Sequence, residues 1–156
     1  MVIGENMFYK PKYFGLHELV SKSIYQEYEA KNKLYLLWNV FDYRMLHTLD
    51  SLRIKYGKMT MNDWKWRRDS NFNQYRGWRD PSCEIGSVLS QHKYGRAADL
   101  IPSETTAEAI RKDIKANPWE DTFKYITCIE DGVSWLHFDV RLWDKEKRNL
   151  LIINPK

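Results

Sequence analysis

Residues 124–142 read KYITCIEDGVSWLHFDVRL, and this pattern predicts a β-hairpin. The first strand would cover residues 124–129, and the pair Asp131-Gly132 is a hairpin turn signal. Because the side chains of a strand point alternately to its two faces, the returning strand should have one apolar face and one polar and aromatic face. The apolar face would carry Leu136, Phe138 and Val140, and the other face Trp135, His137 and Asp139.

The segments around this hairpin predict two more strands and a helix. Residues 97–101 look like a strand that follows a turn at Gly95, and residues 150–153 look like a last short strand. The run Thr105-Thr106-Ala107-Glu108 matches a capping box, and the helix that it opens should end before Pro118.

The N-terminal half predicts helices followed by a long irregular segment. Residues 12–29 look like a short helical segment. Residues 34–56 give the best helix, because their apolar side chains recur every three or four positions and Gly57 follows as a C-terminal cap. Residues 58–63 alternate like a short strand, whereas residues 64–89 have no sustained period, which is typical of a functional loop.

This order of elements predicts one α+β domain over residues 1–156, with a mostly antiparallel sheet packed against helices. The composition, 43% hydrophobic and 15% aromatic, is that of a folded globular protein. The apolar runs are too short to span a bilayer, so no membrane insertion is expected. Residues 1–6 lack the order of basic, apolar and small residues found in signal peptides. We therefore expect a protein that stays in the cytoplasm until something releases it.

The net charge of +4 favours anionic partners, among them nucleic acid and acidic cell-wall polymers. Basic and aromatic side chains interleave between Lys65 and Arg79, as they can in nucleic-acid-binding proteins. We prefer to interpret this stretch as a solvated loop with aromatic anchors. The two cysteines, Cys83 and Cys128, match no disulfide framework or metal motif and are predicted to be reduced thiols.

Two histidines and an aspartate are candidate metal ligands. His92 and Asp99 lie on either side of Gly95, where the chain could fold back and bring them to one ion. His137, on the polar face of the predicted hairpin, would add a third ligand. Catalytic zinc sites commonly take three protein ligands and leave one position to water, and imidazole with carboxylate suits Zn²⁺. On residue types alone, a hydrogen-bonded sheet histidine is an equally good interpretation of His137.

A resemblance to a known family favours the metal site. The pattern Ser-x-His-x-x-Gly-x-Ala-x-Asp at residues 90–99, followed by Trp-x-His at residues 135–137, resembles the zinc D-Ala-D-Ala carboxypeptidases. That family includes phage cell-wall endopeptidases, and its fold is similar to the hedgehog signalling domain. The resemblance implies Zn²⁺ bound by His92, Asp99 and His137, and a peptidase that hydrolyses peptidoglycan stem peptides through metal-activated water. Weaker similarities are found at residues 14–20, 49–53 and 77–79.

The chain departs from this family at the position of the catalytic acid. Many members place it three residues before the late histidine, where this chain has Ser134. Glu130 is the preferred substitute for the proton-transferring carboxylate, and Asp131 is the second candidate. With a two-residue turn, Glu130 would lie roughly 13 Å along the strand from the position opposite His137, so the turn would have to bend it back over the metal. An ordinary acidic hairpin tip is the alternative interpretation of both residues.

Arg79 is the candidate for binding a substrate carboxylate, because a guanidinium group matches a carboxylate with two parallel hydrogen bonds. Arg76 is the reserve, and a surface salt bridge is the alternative for Arg79. The leading prediction is a zinc peptidase of the endolysin or D,D-carboxypeptidase type, which in an endolysin's case waits in the cytoplasm of a phage-infected bacterium. The second is a non-catalytic, zinc-stabilised binding or virion-associated module, which Ser134 favours. Nucleic-acid binding is the weakest of the three.

Overall fold

A five-stranded mixed sheet organises the protein, which the computed structural model describes over residues 8–155. The strands are β1 Met59–Thr60, β2 Ala97–Pro102, β3 Cys128–Glu130, β4 Leu136–Asp139 and β5 Leu151–Ile153. They lie in the order β1-β2-β4-β3-β5, and every pair is antiparallel except β3 with β5. The α+β class and the mostly antiparallel sheet predicted from the sequence are confirmed.

Five α-helices and two 3-10 helices surround the sheet in the described part of the chain. The α-helices are α1 Leu16–Leu19, α2 Lys22–Ala30, α3 Tyr43–Tyr56, α4 Ala107–Ala116 and α5 Lys145–Arg148. The 3-10 helices cover Leu34–Val40 and Gln91–Tyr94. None of the helices within residues 8–155 is long and apolar enough to cross a bilayer.

The single helix predicted over residues 34–56 is two elements. The first is the 3-10 helix, and α3 starts only after Asp42, whose carboxylate accepts a hydrogen bond from the backbone N–H of Arg44 at 3.0 Å. A capping carboxylate satisfies an N–H that has no partner inside the helix, so α3 begins there although the apolar stripe runs on across the break. Gly57 ends α3 as predicted, with φ of 82°, but its ψ of −155° lies outside the left-handed helical region.

Hydroxyl caps also set two other helix starts that differ from the prediction. The helical segment predicted over residues 12–29 is divided into α1 and α2 by Ser21, whose Oγ accepts from the backbone N–H of Ile24 at 3.4 Å. In α4 the cap is Thr106, one residue later than the capping-box pattern indicates, and its Oγ1 accepts from the N–H of Ala109 at 3.1 Å.

The two-residue hairpin turn predicted at Asp131-Gly132 is wrong. Strand β3 begins four residues later than predicted, and its pairing with β4 sets Ile129 opposite Phe138, so a loop of residues 131–135 joins the two strands. The buried Arg111 of α4 explains the longer loop, because its guanidinium donates to the carbonyls of Val133 at 2.9 Å and Trp135 at 2.8 Å. A distant side chain thus satisfies carbonyls that a tight hairpin would have paired within itself.

Helices α3 and α4 cover one face of the sheet and form the main core with it. Buried side chains of this core come from α3, α4 and the sheet: Met45, Leu49, Leu52, Ile110, Ile114, Leu100, Ile129, Leu136 and Phe138. The apolar face of β4 therefore packs inward, as the alternation predicted. This packing leaves the opposite face of β2, β4 and β3 for the polar side chains of the site.

Residues 61–90 contain no helix or strand, in agreement with the irregular segment predicted over residues 64–89. The segment is nevertheless anchored. The side-chain N–H groups of Asn62 and Trp64 both donate to the carbonyl of Val20 at 3.0 Å, and the indole N–H of Trp78 donates to the carbonyl of Lys93 at 3.2 Å. These bonds tie the segment to the rest of the fold, and the backbone N–H of Asp99 in β2 donates to the carbonyl of Arg76 at 2.9 Å.

Candidate metal centre

Three neighbouring strands place three polar side chains in a row. In the antiparallel pairing of β2 with β4, Asp99 lies directly opposite His137. Continuing the pairing of β3 with β4 by one residue places Glu130 on the other side of His137. Directly opposed residues share a sheet face with their Cβ atoms about 5 Å apart. The strand register therefore brings the two carboxylates to both sides of one imidazole.

His92 reaches the same place from the second 3-10 helix. This helix ends at Gly95 in the left-handed conformation, with φ of 65° and ψ of 24°. A side chain at Gly95 would have no room, since a Cβ atom there would lie 1.8 Å from the carbonyl oxygen of Val40. The tight turn at this glycine reverses the chain between His92 and β2, as the sequence predicts, and brings the histidine back towards Asp99.

His92, Asp99 and His137 form a compact buried group. Each residue offers one potential ligand atom, and these atoms lie within 4.8 Å of one another. The nearest pair is Nδ1 of His137 and Oδ1 of Asp99 at 2.7 Å, while Nε2 of His92 lies 3.4 Å from Oδ2 of Asp99. All three side chains line a cavity of about 440 Å³. The group could therefore hold a metal ion that remains accessible from the cavity, which confirms the predicted metal site in part.

Hydrogen bonds orient both imidazole rings. Nδ1 of His92 lies 2.8 Å from the carbonyl oxygen of Gly77, to which it donates, so Nε2 keeps its lone pair for a ligand. Nε2 of His137 lies 3.2 Å from Oδ2 of Asp139, which leaves Nδ1 facing Asp99. Bonds of this kind fix the ring orientation in metal sites. The predicted orienting role of Asp139 fits this position.

The backbone at Gly77 is held unusually close to helix α1. A Cβ atom at Gly77 would lie 2.2 Å from the carbonyl oxygen of Leu19, and the N–H of the following Trp78 donates to that same oxygen at 2.7 Å. Only a glycine allows this approach. The carbonyl of Gly77, whose contact with His92 was not predicted, is thereby fixed against that ring.

The charges of the group are strongly coupled. Burial alone would lower the pKa of His137, but its hydrogen bonds with Asp139 and Asp99 outweigh burial and raise the pKa to about 9. Burial likewise acts to raise the pKa of Asp99, yet the bonds from His137 and His92 hold it well below its usual value. The pKa of Asp139 is also lowered, chiefly by Arg141 against the effect of burial. In this arrangement two carboxylates stabilise the protonated imidazole of His137, so binding of a metal ion at this ring would release a proton.

Of the two candidate bases, the structure brings Glu130 to the cluster and places Asp131 elsewhere. Oε1 of Glu130 lies 4.0 Å from Nε2 of His137, and Glu130 lines the cavity. The predicted separation of Glu130 from the metal ligands was wrong, because it assumed the two-residue turn. Asp131 instead binds Nζ of Lys115 at 2.6 Å. Ser134 is exposed in the loop between β3 and β4.

Arg79 lies at the cavity, whereas Arg76 lies beside it. The guanidinium of Arg79 donates to the carbonyl of Tyr75 at 2.7 Å, and its Nη2 lies 3.5 Å from Oδ2 of Asp99. Arg76 stacks on the indole of Trp135, with 5.5 Å between the guanidinium carbon and the ring centroid. It lines an adjoining cavity of about 370 Å³, to whose wall Arg79 also contributes. Arg79 therefore remains the better placed of the two for a substrate group next to the cluster.

Sequence reasoning missed Arg141 as a site residue. Its guanidinium binds the buried Asp139 through two bonds, Nε to Oδ1 at 2.8 Å and Nη2 to Oδ2 at 2.5 Å, and it also lines the metal-ligand cavity. The pattern Asp-x-Arg on the polar face of the returning strand was the signal that could have found it, since residues two apart on a strand share a face.

The basic and aromatic stretch is anchored within the fold. Arg67 pairs with Asp63 at 3.4 Å and with Asp69 at 2.9 Å, and the indole of Trp64 is bonded to the backbone as described above. These contacts fit the loop interpretation. Cys128 is buried, and Cys83 is half-buried; both are free thiols, as predicted.

Comparison of the chain with protein-family models, curated proteins and solved structures finds no match. The resemblance to zinc D-Ala-D-Ala carboxypeptidases and to the hedgehog fold therefore stays a prediction.

Proposed function

We propose that this chain is a zinc-dependent peptidase that hydrolyses peptidoglycan stem peptides. The observation that carries the proposal is the convergence of His92, Asp99 and His137 at a cavity wall that also includes Glu130. Two imidazoles and one carboxylate are a ligand set that suits Zn²⁺, and three protein ligands leave a position free for chemistry. The choice of peptidoglycan as substrate rests on the sequence motifs at residues 90–99 and 135–137.

A zinc ion supplies Lewis-acid chemistry, which activates water and polarises the carbonyl of a scissile amide. The chain's own residues would complete the reaction. His92 and His137 are held in position by Gly77 and Asp139, so the ligand set needs little rearrangement to accept an ion.

Glu130 would carry out the proton transfer. Its carboxylate lies beside His137 at the cavity, where it can accept a proton from the attacking water and pass that proton to the nitrogen of the leaving amine. This assignment also accounts for Ser134, because an acid is supplied from the neighbouring strand instead of from the position three residues before His137.

Arg79 would bind a substrate carboxylate. It is mostly buried, with 12% of its side chain exposed, and backbone carbonyls of the irregular segment orient it towards the cavity. A guanidinium in this setting binds a carboxylate through charge-assisted hydrogen bonds.

The decisive experiment combines metal analysis with a peptidoglycan digest. The purified chain is loaded with zinc, its metal content is measured, and it is then incubated with purified peptidoglycan. We expect an equimolar amount of zinc and the release of new amino groups, which stops on chelation and returns when zinc is added back. The masses of the fragments would show whether the chain removes a terminal residue or cleaves an internal peptide bond.

A non-catalytic, zinc-stabilised binding module is the second candidate, and Ser134 is the observation that favours it. It predicts tight zinc binding and a higher melting temperature with zinc, but no new amino groups in the digest. A chain that binds no zinc would contradict both candidates.

A further inference from the structure

A continuous chain of ionic contacts crosses the candidate metal centre. It runs from Arg79 to Asp99 at 3.5 Å, to His137 at 2.7 Å, to Asp139 at 3.2 Å and to Arg141 at 2.5 Å. Cationic and anionic groups alternate along it. A guanidinium therefore stands at each end, with the metal-ligand cluster between them.

Both terminal guanidinium groups belong to the wall of the same cavity. Arg141 keeps 26% of its side chain exposed. Its bonds to Asp139 use Nε and Nη2, and its Nη1 group makes no hydrogen bond to any residue within 8–155. Neutralising Asp139 therefore leaves part of the guanidinium free to bind a ligand from the cavity.

We propose that Arg141 binds a second substrate carboxylate, so that the site selects peptides that carry one carboxylate on each side of the scissile amide. This inference rests on the proposed function and names the class of peptide. Arg79 would take the carboxylate of the acyl fragment, and Arg141 the carboxylate of the leaving-amine fragment.

The position of Glu130 decides which substrate fragment lies next to Arg79 and which lies next to Arg141. Glu130 lies 4.0 Å from Nε2 of His137, on the same side of the ring as Asp139, which binds Arg141. Asp99, which Arg79 contacts, lies on the Nδ1 side of the ring. Glu130 is also the group that would hand a proton to the leaving amine. The leaving fragment thus lies on the Arg141 side and the acyl fragment on the Arg79 side.

The charge balance of the loaded cavity favours an anionic ligand. Of the groups that line it, Asp99 and Glu130 are anionic, and Arg79 and Arg141 are cationic. The divalent ion adds two positive charges, and the buried Asp139 removes one. The loaded site keeps an excess of positive charge, which an anionic ligand would complement.

The first test uses the unmodified, zinc-loaded chain and synthetic peptides with one cleavable amide. The parent peptide has a carboxylate on each side of that amide, and two analogues have one or the other converted to a carboxamide. We expect each conversion to raise KM about tenfold or more, the change that corresponds to 1.4 kcal/mol. An unchanged KM for the leaving-side carboxamide would overturn the role of Arg141.

The second test pairs protein variants with the same peptides, and affinity is measured by calorimetry on a Glu130→Gln background so that the peptides stay intact. In Arg141→Ala the leaving-side carboxamide should no longer weaken binding, whereas the acyl-side carboxamide still should. Arg79→Ala should give the reverse, and the exposed Arg148→Ala should change neither. Equal penalties in all variants would show that Arg141 only neutralises Asp139.

A replacement variant and a separate outcome for failure of the proposed function complete these tests. Arg141→Lys, which retains a cation beside Asp139, replaces Arg141→Ala if the latter does not fold. Failure of the proposed function itself has a different outcome, in which none of the peptides is cleaved by the unmodified chain. Binding that does not distinguish the three peptides overturns the inference whether or not cleavage occurs.

Discussion

Two groups of buried charges in this protein are built differently. The metal-ligand cluster of His92, Asp99 and His137 opens onto a cavity. The second group surrounds Lys145 of α5, which is 5% exposed. Its ammonium donates to four backbone carbonyls at 2.8–3.3 Å, and the indole of Trp119 covers it with 4.4 Å from Nζ to the ring centroid. The carbonyl oxygens belong to Pro118, Phe123, Lys124 and Ile126.

The two groups differ in how many of their hydrogen-bond donors and lone pairs remain unused within the fold. An ammonium has three N–H donors, and four carbonyls at Lys145 use all of them. In the metal-ligand cluster, Asp99 lies against two histidines, and among residues 8–155 Nε2 of His92 has no closer partner than the carboxylate at 3.4 Å. A buried charge whose bonding capacity is used up within the fold stabilises the fold, whereas one that keeps free lone pairs at a cavity wall is suited to bind a ligand.

The largest expected effect is the loss of metal binding when a ligand is removed. His137→Ala and His92→Ala should each lower zinc affinity by more than about 100-fold, since even the loss of an orienting partner costs 10–100-fold. The measurement is zinc content after dialysis against a weak chelator. His47→Ala, which changes a histidine outside the cluster, should keep full occupancy. Full occupancy in both ligand variants would remove the basis for the site.

The next largest effect should come from Glu130, which separates catalysis from metal binding within the cluster. Glu130→Gln keeps the shape of the side chain but cannot accept a proton, so we expect turnover to fall by about 10²–10⁴-fold with zinc content unchanged. Asp131→Asn is the matched control, because Asp131 pairs with Lys115 away from the cavity and its loss should leave turnover intact. If Asp131→Asn is the variant that loses turnover, the proton-transfer role belongs to Asp131.

In the group around Lys145, substitution should change the stability of the protein and leave its function intact. Lys145→Met keeps the length of the side chain but leaves the four carbonyls without a donor, so the free energy of unfolding should fall by about 3 kcal/mol. Chemical denaturation measures this change. Lys147→Met, at a side chain that is 84% exposed, is the control and should be neutral. Loss of zinc from a still-folded Lys145→Met protein would contradict the separation of the two groups.

Local patterns predicted much of the fold, and contacts between distant residues account for what they missed. The alternation in residues 134–142 assigned the faces of β4 correctly because facing is a property of the strand alone. The register of the hairpin was missed because Arg111, more than twenty positions away, binds the carbonyls of the connecting loop. The start of α3 was missed as well, because a capping hydrogen bond at Asp42 interrupts the helix although the apolar stripe continues.

In the candidate site, too, local sequence patterns predicted some features and contacts between distant residues set the others. His92, Asp99 and His137 were found from residue types and motif spacing, and the structure brings them together. Two other parts of the site depend on tertiary contacts, which the periodicity of the sequence does not predict. One is the carbonyl of Gly77, which orients His92, and the other is the closeness of Glu130 to His137, which follows from the true register.

The smallest expected effect concerns Arg79, which lies between the two kinds of group because it is both bonded to the backbone and in contact with the cluster. Arg79→Ala should raise KM about tenfold while kcat changes little, since a carboxylate clamp contributes to binding of the ground state and of the transition state alike. Arg68→Ala, at an exposed arginine of the same irregular segment, should leave KM unchanged. If Arg79→Ala instead lowers stability with KM unchanged, its bond to the carbonyl of Tyr75 has the same structural role as the bonds of Lys145. Arg79 would then belong with the groups whose capacity is used up within the fold, and the acyl-side carboxylate would need another partner at the cavity wall.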